Sequence, residues 1–146
     1  MERLHFTIQI NASPEKVWHC LWEIENYKTW TNLFCSGSYY KTDSFTEGSK
    51  IHLLTPSGEG MYSVLETVKE NTFLALKHLG EIKNFEEMPI TGESETWTGA
   101  METYALNEIE NGTELTVNVD ALEVYVGFMS KTFPLALNEL KRISEN

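Results

Sequence analysis

The stretch Glu123-Val124-Tyr125-Val126-Gly127-Phe128-Met129-Ser130-Lys131-Thr132-Phe133-Pro134-Leu135-Ala136-Leu137-Asn138-Glu139-Leu140-Lys141-Arg142-Ile143 decides the fold. At about 100° per residue, Leu122, Tyr125, Val126, Met129, Phe133, Ala136, Leu137, Leu140 and Ile143 fall within a stripe roughly 120° wide. Such a stripe predicts a long amphipathic helix whose apolar side needs a large surface to cover it. Pro134 removes one backbone donor and predicts a bend or local adjustment. Phe128 and Leu135 fall on the opposite side, where a loop, solvent or a second copy of the chain would meet them.

The covering surface is written upstream. Leu4, Phe6, Ile8 and Ile10 alternate with His5, Thr7 and Gln9, the period of a strand with one buried face. Ser13-Pro14-Glu15 then starts a helix: the serine accepts from the first turn, the proline lacks an amide that would be orphaned, and the glutamate favours the dipole's positive end. Val17, Leu21 and Ile24 mark its apolar side with Trp18 beside them. Tyr27 to Phe34 predicts a second short helix or a broken turn. Turn signals at Gly37, Thr46-Glu47-Gly48, Pro56-Ser57-Gly58, Glu70-Asn71 and Asn111-Gly112 then separate strand candidates near 38–42, 49–55, 60–68, 72–79, 95–106 and 114–120. The Asn111-Gly112 hairpin is the clearest, since both residues tolerate positive φ. Residues 80–95 are polar and predict a long loop or rim. The expectation is α+β: a curved antiparallel sheet of six or seven strands wrapped around a long C-terminal helix, with two short helices after the first strand, as one domain over residues 1–146.

Composition narrows the partners. Twenty-two acidic residues against 11 basic ones give a formal charge of −11, which repels phosphate backbones and anionic lipid surfaces. Neither nucleic acid nor membrane is expected. No signal-peptide succession and no apolar run of about 20 residues is present, so the cytoplasm is the expected location. Two cysteines make no disulfide framework.

Ala12-Ser13-Pro14-Glu15-Lys16-Val17-Trp18 after the first strand, Tyr27 and Trp30 in the next helix, Gly48 opening a strand, and Gly112-Thr113-Glu114-Leu115 in the late hairpin together resemble the START-like superfamily, also called SRPBCC. Within it they resemble the branch named for the activator of the heat-shock protein ninety ATPase. The resemblance covers essentially the whole chain. It implies the helix-grip fold with an apolar cavity between long helix and sheet. Its members bind lipids and hormones, cyclise polyketides or activate a chaperone ATPase, so the scaffold alone does not choose among these activities.

Catalytic motifs are missing: there is no Gly-X-Ser-X-Gly, His-Glu-X-X-His, phosphate loop or dinucleotide fingerprint. His5, His19, His52 and His78 lack metal-ligand spacing, and no cofactor is expected. Strand alternation gives the sharper candidates. Leu74, Leu76 and His78 face inward if Lys77 faces out, and the register that buries Leu106 also points Tyr104, Glu102 and Ala100 inward. An imidazole, a carboxylate and a phenol would then meet inside an apolar cavity, as a structural network, a ligand anchor or an acid/base pair. Met61, Tyr62, Trp97 and Met101 form a second group near the mouth, not all on one side; Phe34, Tyr39 and Tyr40 are further rim candidates. The leading expectation is a noncatalytic protein binding a small, mostly apolar molecule through Leu76, His78, Glu102, Tyr104, Met129, Phe133 and Leu137. The alternatives are a chaperone-interacting module and a small cyclase or hydrolase with interior acid/base residues.

Overall fold

The computed structural model covers residues 1–146. Its elements run β1 (Glu2–Ile10), α1 (Pro14–Trp22), α2 (Ile24–Thr31), β2 (Tyr39–Lys41), β3 (Lys50–Leu54), β4 (Gly60–Lys69), β5 (Phe73–Lys83), β6 (Glu86–Glu87), a 3-10 turn (Gly92–Thr96), β7 (Met101–Ile109), β8 (Gly112–Ala121) and α3 (Glu123–Ser144). All strand pairs are antiparallel, in the order β1-β8-β7-β5-β4-β3-β2, with β6 on β5. This is the helix-grip architecture: an α+β fold in which one sheet curves around α3. No helix is long and apolar enough to cross a membrane.

Local chemistry sets the boundaries. Ser13 caps α1 by accepting from the Lys16 amide at 3.2 Å, with Pro14 at the first helical position. Glu23 ends α1 and its carboxylate caps α2 by accepting from the Glu25 and Asn26 amides. The Glu110-Asn111 turn joins β7 to β8, with Asn111 at φ 69°. Gly112 serves a different need: a Cβ there would lie 2.2 Å from the Ile10 carbonyl oxygen, so only glycine lets β8 close against the end of β1.

The concave face follows from register. Leu4, Phe6 and Ile8 sit opposite Val119, Val117 and Leu115; Tyr104 and Leu106 continue that face on β7, and Leu74 and Leu76 on β5. Phe133, Ala136, Leu137 and Leu140 of α3 complete the core with Val17, Leu21, Trp22 and Trp30. Pro134 cannot donate to the Ser130 carbonyl, and both residues lie on the exposed side of an uninterrupted helix, where water meets the lost bond.

Four expectations need correction. The sheet has eight strands rather than six or seven. β5 runs on to Lys83, and Asn84 and Phe85 both take positive φ, 52° and 65°, making a two-residue turn into β6 inside the segment expected to be loop. The strand expected from residue 95 starts at Met101, because residues 92–96 coil into the 3-10 turn. Tyr125, expected against the sheet, is 51% exposed. The wall opposite the start of α3 includes the short side chains of Ala100, Val119 and Ala121, and a cavity separates it from the helix.

Candidate functional site in the cleft between helix and sheet

Three neighbouring strands bring a polar group into the apolar concave face. Ser63 on β4 stands directly opposite His78 on β5, and Glu102 on β7 stands opposite Leu76, two residues from His78 on the same face. Tyr104 follows Glu102 by two residues and points the same way. His78 Nδ1 is 2.7 Å from Ser63 Oγ, and His78 Nε2 is 3.1 Å from Glu102 Oε1. The Tyr104 hydroxyl donates to Glu102 Oε2.

The electrostatics assign the protons. Burial pushes the Glu102 pKa up, but the hydrogen bond and charge of His78 and the hydrogen bond from Tyr104 pull it further down, and the net direction is below an ordinary carboxylate. Glu102 is therefore ionised and accepts only, so His78 Nε2 donates to it. Burial, then the Glu102 charge, raise Tyr104 well above an ordinary phenol. Burial also raises Tyr27, with Glu102 and Tyr40 adding to it. Both phenols stay protonated at neutral pH.

Six of the seven predicted residues divide over two adjoining cavities. The larger, about 780 Å³, lies between the first two turns of α3 and the sheet; His78, Glu102 and Met129 line it, together with Met61, Trp97 and Ala100. Tyr125 and Phe128, about half exposed, stand at its mouth. The smaller, about 230 Å³, lies toward α1 and α2 and is ringed by Trp22, Tyr27, Trp30, Phe34, Tyr104 and Phe133, with Leu76 in its wall. Gly60, Met61, Glu102 and Met129 border both. Leu137 borders neither and is packed in the core. No three His, Cys, Asp or Glu side chains converge as a metal site.

The mouth group separates as strand alternation requires. Met61 and Trp97 line the large cavity. Tyr62 faces the other side of the sheet, packing with Leu54 and Ile82 and donating to the Met88 carbonyl. Met101 lines neither cavity; its amide donates to Asp120 at 2.9 Å. Phe34 and Tyr39 line the inner cavity, whereas the Tyr40 hydroxyl is spent on the Trp22 carbonyl.

Two contributors were not named as site residues from sequence. Ser63 was reachable by counting back two positions from Leu65 along β4, which gives Ser63 and then Met61 on the concave side. The inner ring of Trp22, Tyr27 and Trp30 was not. Its orientation depends on how α1 and α2 dock, through contacts such as Trp22 edge-on to Tyr104 at 4.9 Å and Trp30 Nε1 donating to the Leu21 carbonyl.

This is the fold of the START-like, or SRPBCC, proteins, in the form seen in Aha1 and its relatives. The chain superposes on the Aha1 dimer protein of Colwellia psychrerythraea with a TM-score of 0.71 and 23% identity, over 99% of this chain and 97% of that one. A protein of Mesorhizobium loti gives a TM-score of 0.73 at 16% identity, over 97% and 96% of the chains. The AHSA1-like protein of Aeromonas hydrophila gives 0.69 at 14%, over 99% and 92%. No protein-family profile and no curated protein sequence matches the chain.

Proposed function

We propose that this protein binds a small, mostly apolar molecule between the first half of α3 and the sheet and releases it unchanged. One observation carries the reading: a cavity of about 780 Å³ with largely apolar walls and a hydrogen-bonded carboxylate where it meets a second, ring-lined chamber. That volume lies within the roughly 300–1,000 Å³ of small-molecule sites. Leu76, Tyr104 and Phe133 wall the inner chamber, Met129 adapts its thioether to the occupant, and His78 and Glu102 orient it. Leu137 anchors the helix beneath them without touching the ligand. Catalysis gains no support from the same geometry. Ser63 is 0% exposed and out of a substrate's reach, and a carboxylate held below its ordinary pKa is a weak base. The unpaired thiols of Cys20 and Cys35 fit the cytoplasm.

Titration with the neutral fluorophore N-phenyl-naphthylamine tests the reading. Emission should rise saturably on binding, and Met129→Trp, which fills the shared border of the two chambers, should abolish the rise. Wild-type binding by a folded Met129→Trp protein would remove the cavity as the site.

A second reading, a protein-interaction module, draws on Val124, Phe128 and Leu135, which are exposed on one side of α3, and on the likeness to a protein described as a dimer. Sedimentation of the purified chain checks self-association. Salt-sensitive binding to a heat-shock protein ninety chaperone checks the partner that the family resemblance implies; absence of both ends this reading.

A further inference from the structure

Of the four residues that border both chambers, Gly60, Met61, Glu102 and Met129, only Glu102 carries a polar side chain. Its hydrogen-bonding surplus is one-sided. A carboxylate has about four lone-pair positions; Oε1 receives His78 Nε2 and Oε2 receives the Tyr104 hydroxyl, which leaves about half its acceptor capacity unused. The two donors bonded to it have no such reserve. His78 spends one nitrogen on Glu102 and the other on Ser63, and Tyr104 spends its only proton on Glu102.

The charges around the larger chamber have the same bias. Glu59, Glu81 and Glu93 line it, and Lys83, the only lysine or arginine there, lies 3.6 Å from Glu81. Asp120 also borders it but is turned to Arg3 at 2.9 Å, and the Met1 amine lies 3.8 Å from Glu123. No unpaired cation is left to receive an anionic group, whereas the rings of Trp97, Tyr125 and Phe128 can each face a cation.

Resting on the cavity reading above, we propose that the occupant is an apolar, ring-bearing molecule with a protonated amine, its ring in the inner aromatic chamber and its ammonium on the free lone pairs of Glu102. A fatty acid or aryl acid is disfavoured by the same chemistry, because its carboxylate would meet a fixed like charge and no free cation; the unpartnered indole N–H of Trp22 in the aromatic chamber is neutral and offsets little of that repulsion. An alcohol can donate to Glu102 but brings no charge, so it should bind between the two.

Three probes with one apolar body separate these cases: naphthylethylamine, naphthylethanol and naphthylacetic acid, titrated calorimetrically into the wild-type chain at physiological salt. The amine should bind about tenfold more tightly than the alcohol, the size of one charge-assisted contact, and the acid should bind most weakly. Glu102→Gln should bring the amine level with the alcohol. An alcohol or acid that binds wild type as tightly as the amine overturns the proposal while leaving the cavity reading in place. An amine preference that survives Glu102→Gln and fades with added salt overturns it too, assigning the preference to the acidic surface. If none of the three binds and N-phenyl-naphthylamine does, the amine assignment fails alone; if that probe also fails, both readings fall.

Discussion

The two halves of α3 meet the same sheet in opposite ways. From Thr132 to Ser144 the helix is gripped: Phe133, Ala136, Leu137 and Leu140 are buried, and Phe133 stacks on Phe6 of β1 at 4.9 Å. From Glu123 to Lys131 it is only supported. Tyr125 and Phe128 are about half exposed, and below them lies the larger cavity, bordered by Ala100, Val119 and the His78–Glu102 pair. One helix therefore anchors the fold and roofs a chamber. The change falls where the facing wall turns from packed apolar side chains such as Phe6 to Ala100, Ala121 and a hydrogen-bonded ion, which α3 cannot cover tightly without desolvating it.

The strongest way to break this contrast is to truncate one side chain in each half. Leu140→Ala should cost about 3 kcal/mol, because a fully buried leucine leaves a cavity its neighbours fill only partly. Met129→Ala should cost about 1 kcal/mol or less, because the side chain already borders open space. Urea unfolding measures both, and equal costs would mean that the two halves are packed alike.

The next effect concerns the polar group that faces the loosely covered half. His78→Leu strips Glu102 and Ser63 of their shared partner and should cost about 2 kcal/mol. Adding Glu102→Leu should return part of that loss, since the carboxylate is no longer left buried with one partner. The double-mutant cycle should therefore show coupling; additive costs would mean that the two residues merely lie near each other.

A smaller effect is read from acid unfolding. The folded Glu102 carboxyl lies below its unfolded value near 4.5. Its contribution is thus complete above that pH and is lost as pH falls through the folded value. Glu87 and Asp120 are lowered as well, by His52 and by Arg3 respectively, so only the difference between wild type and Glu102→Gln isolates this group. The variant should lose stability less steeply in the acid limb, measured by urea midpoints at stepped pH. Identical slopes would show that Glu102 titrates alike folded and unfolded.

What was legible in the sequence follows the same division. Where packing is tight, pattern and structure coincide: β1 alternates as written, Ser13-Pro14 starts α1, and α3 from Phe133 onward buries its stripe. The inward register of His78, Glu102 and Tyr104 was also readable, because each lies within a run of strict alternation. Beyond His78 the alternation breaks: Ser63 pairs with His78 and Tyr62 with Gly80, leaving Leu79 as an extra residue. That bulge brings Glu81 to the cavity lining, while Ile82 packs with Leu54 and Tyr62. Gly80, pressed against Tyr62 at the bulge, is its one local signal, and none marks Phe85 as a turn residue at positive φ, a conformation phenylalanine adopts only when the surroundings impose it. Tyr125 was misplaced for a related reason. A helical stripe reports which side is apolar, not whether the opposite wall is close enough to bury it.

The smallest expected effect tests the outermost part of the contrast. Val124 is 77% exposed on the first turn of α3, and serine has nearly the helix propensity of valine. Val124→Ser should therefore shift stability by no more than about 0.5 kcal/mol. A shift well beyond that in the isolated chain would mean that this face is covered in solution. The midpoint of thermal unfolding would then rise with protein concentration in wild type and become flat in the variant. A flat midpoint in both proteins, with equal stability, leaves the first turns of α3 to the chamber they roof.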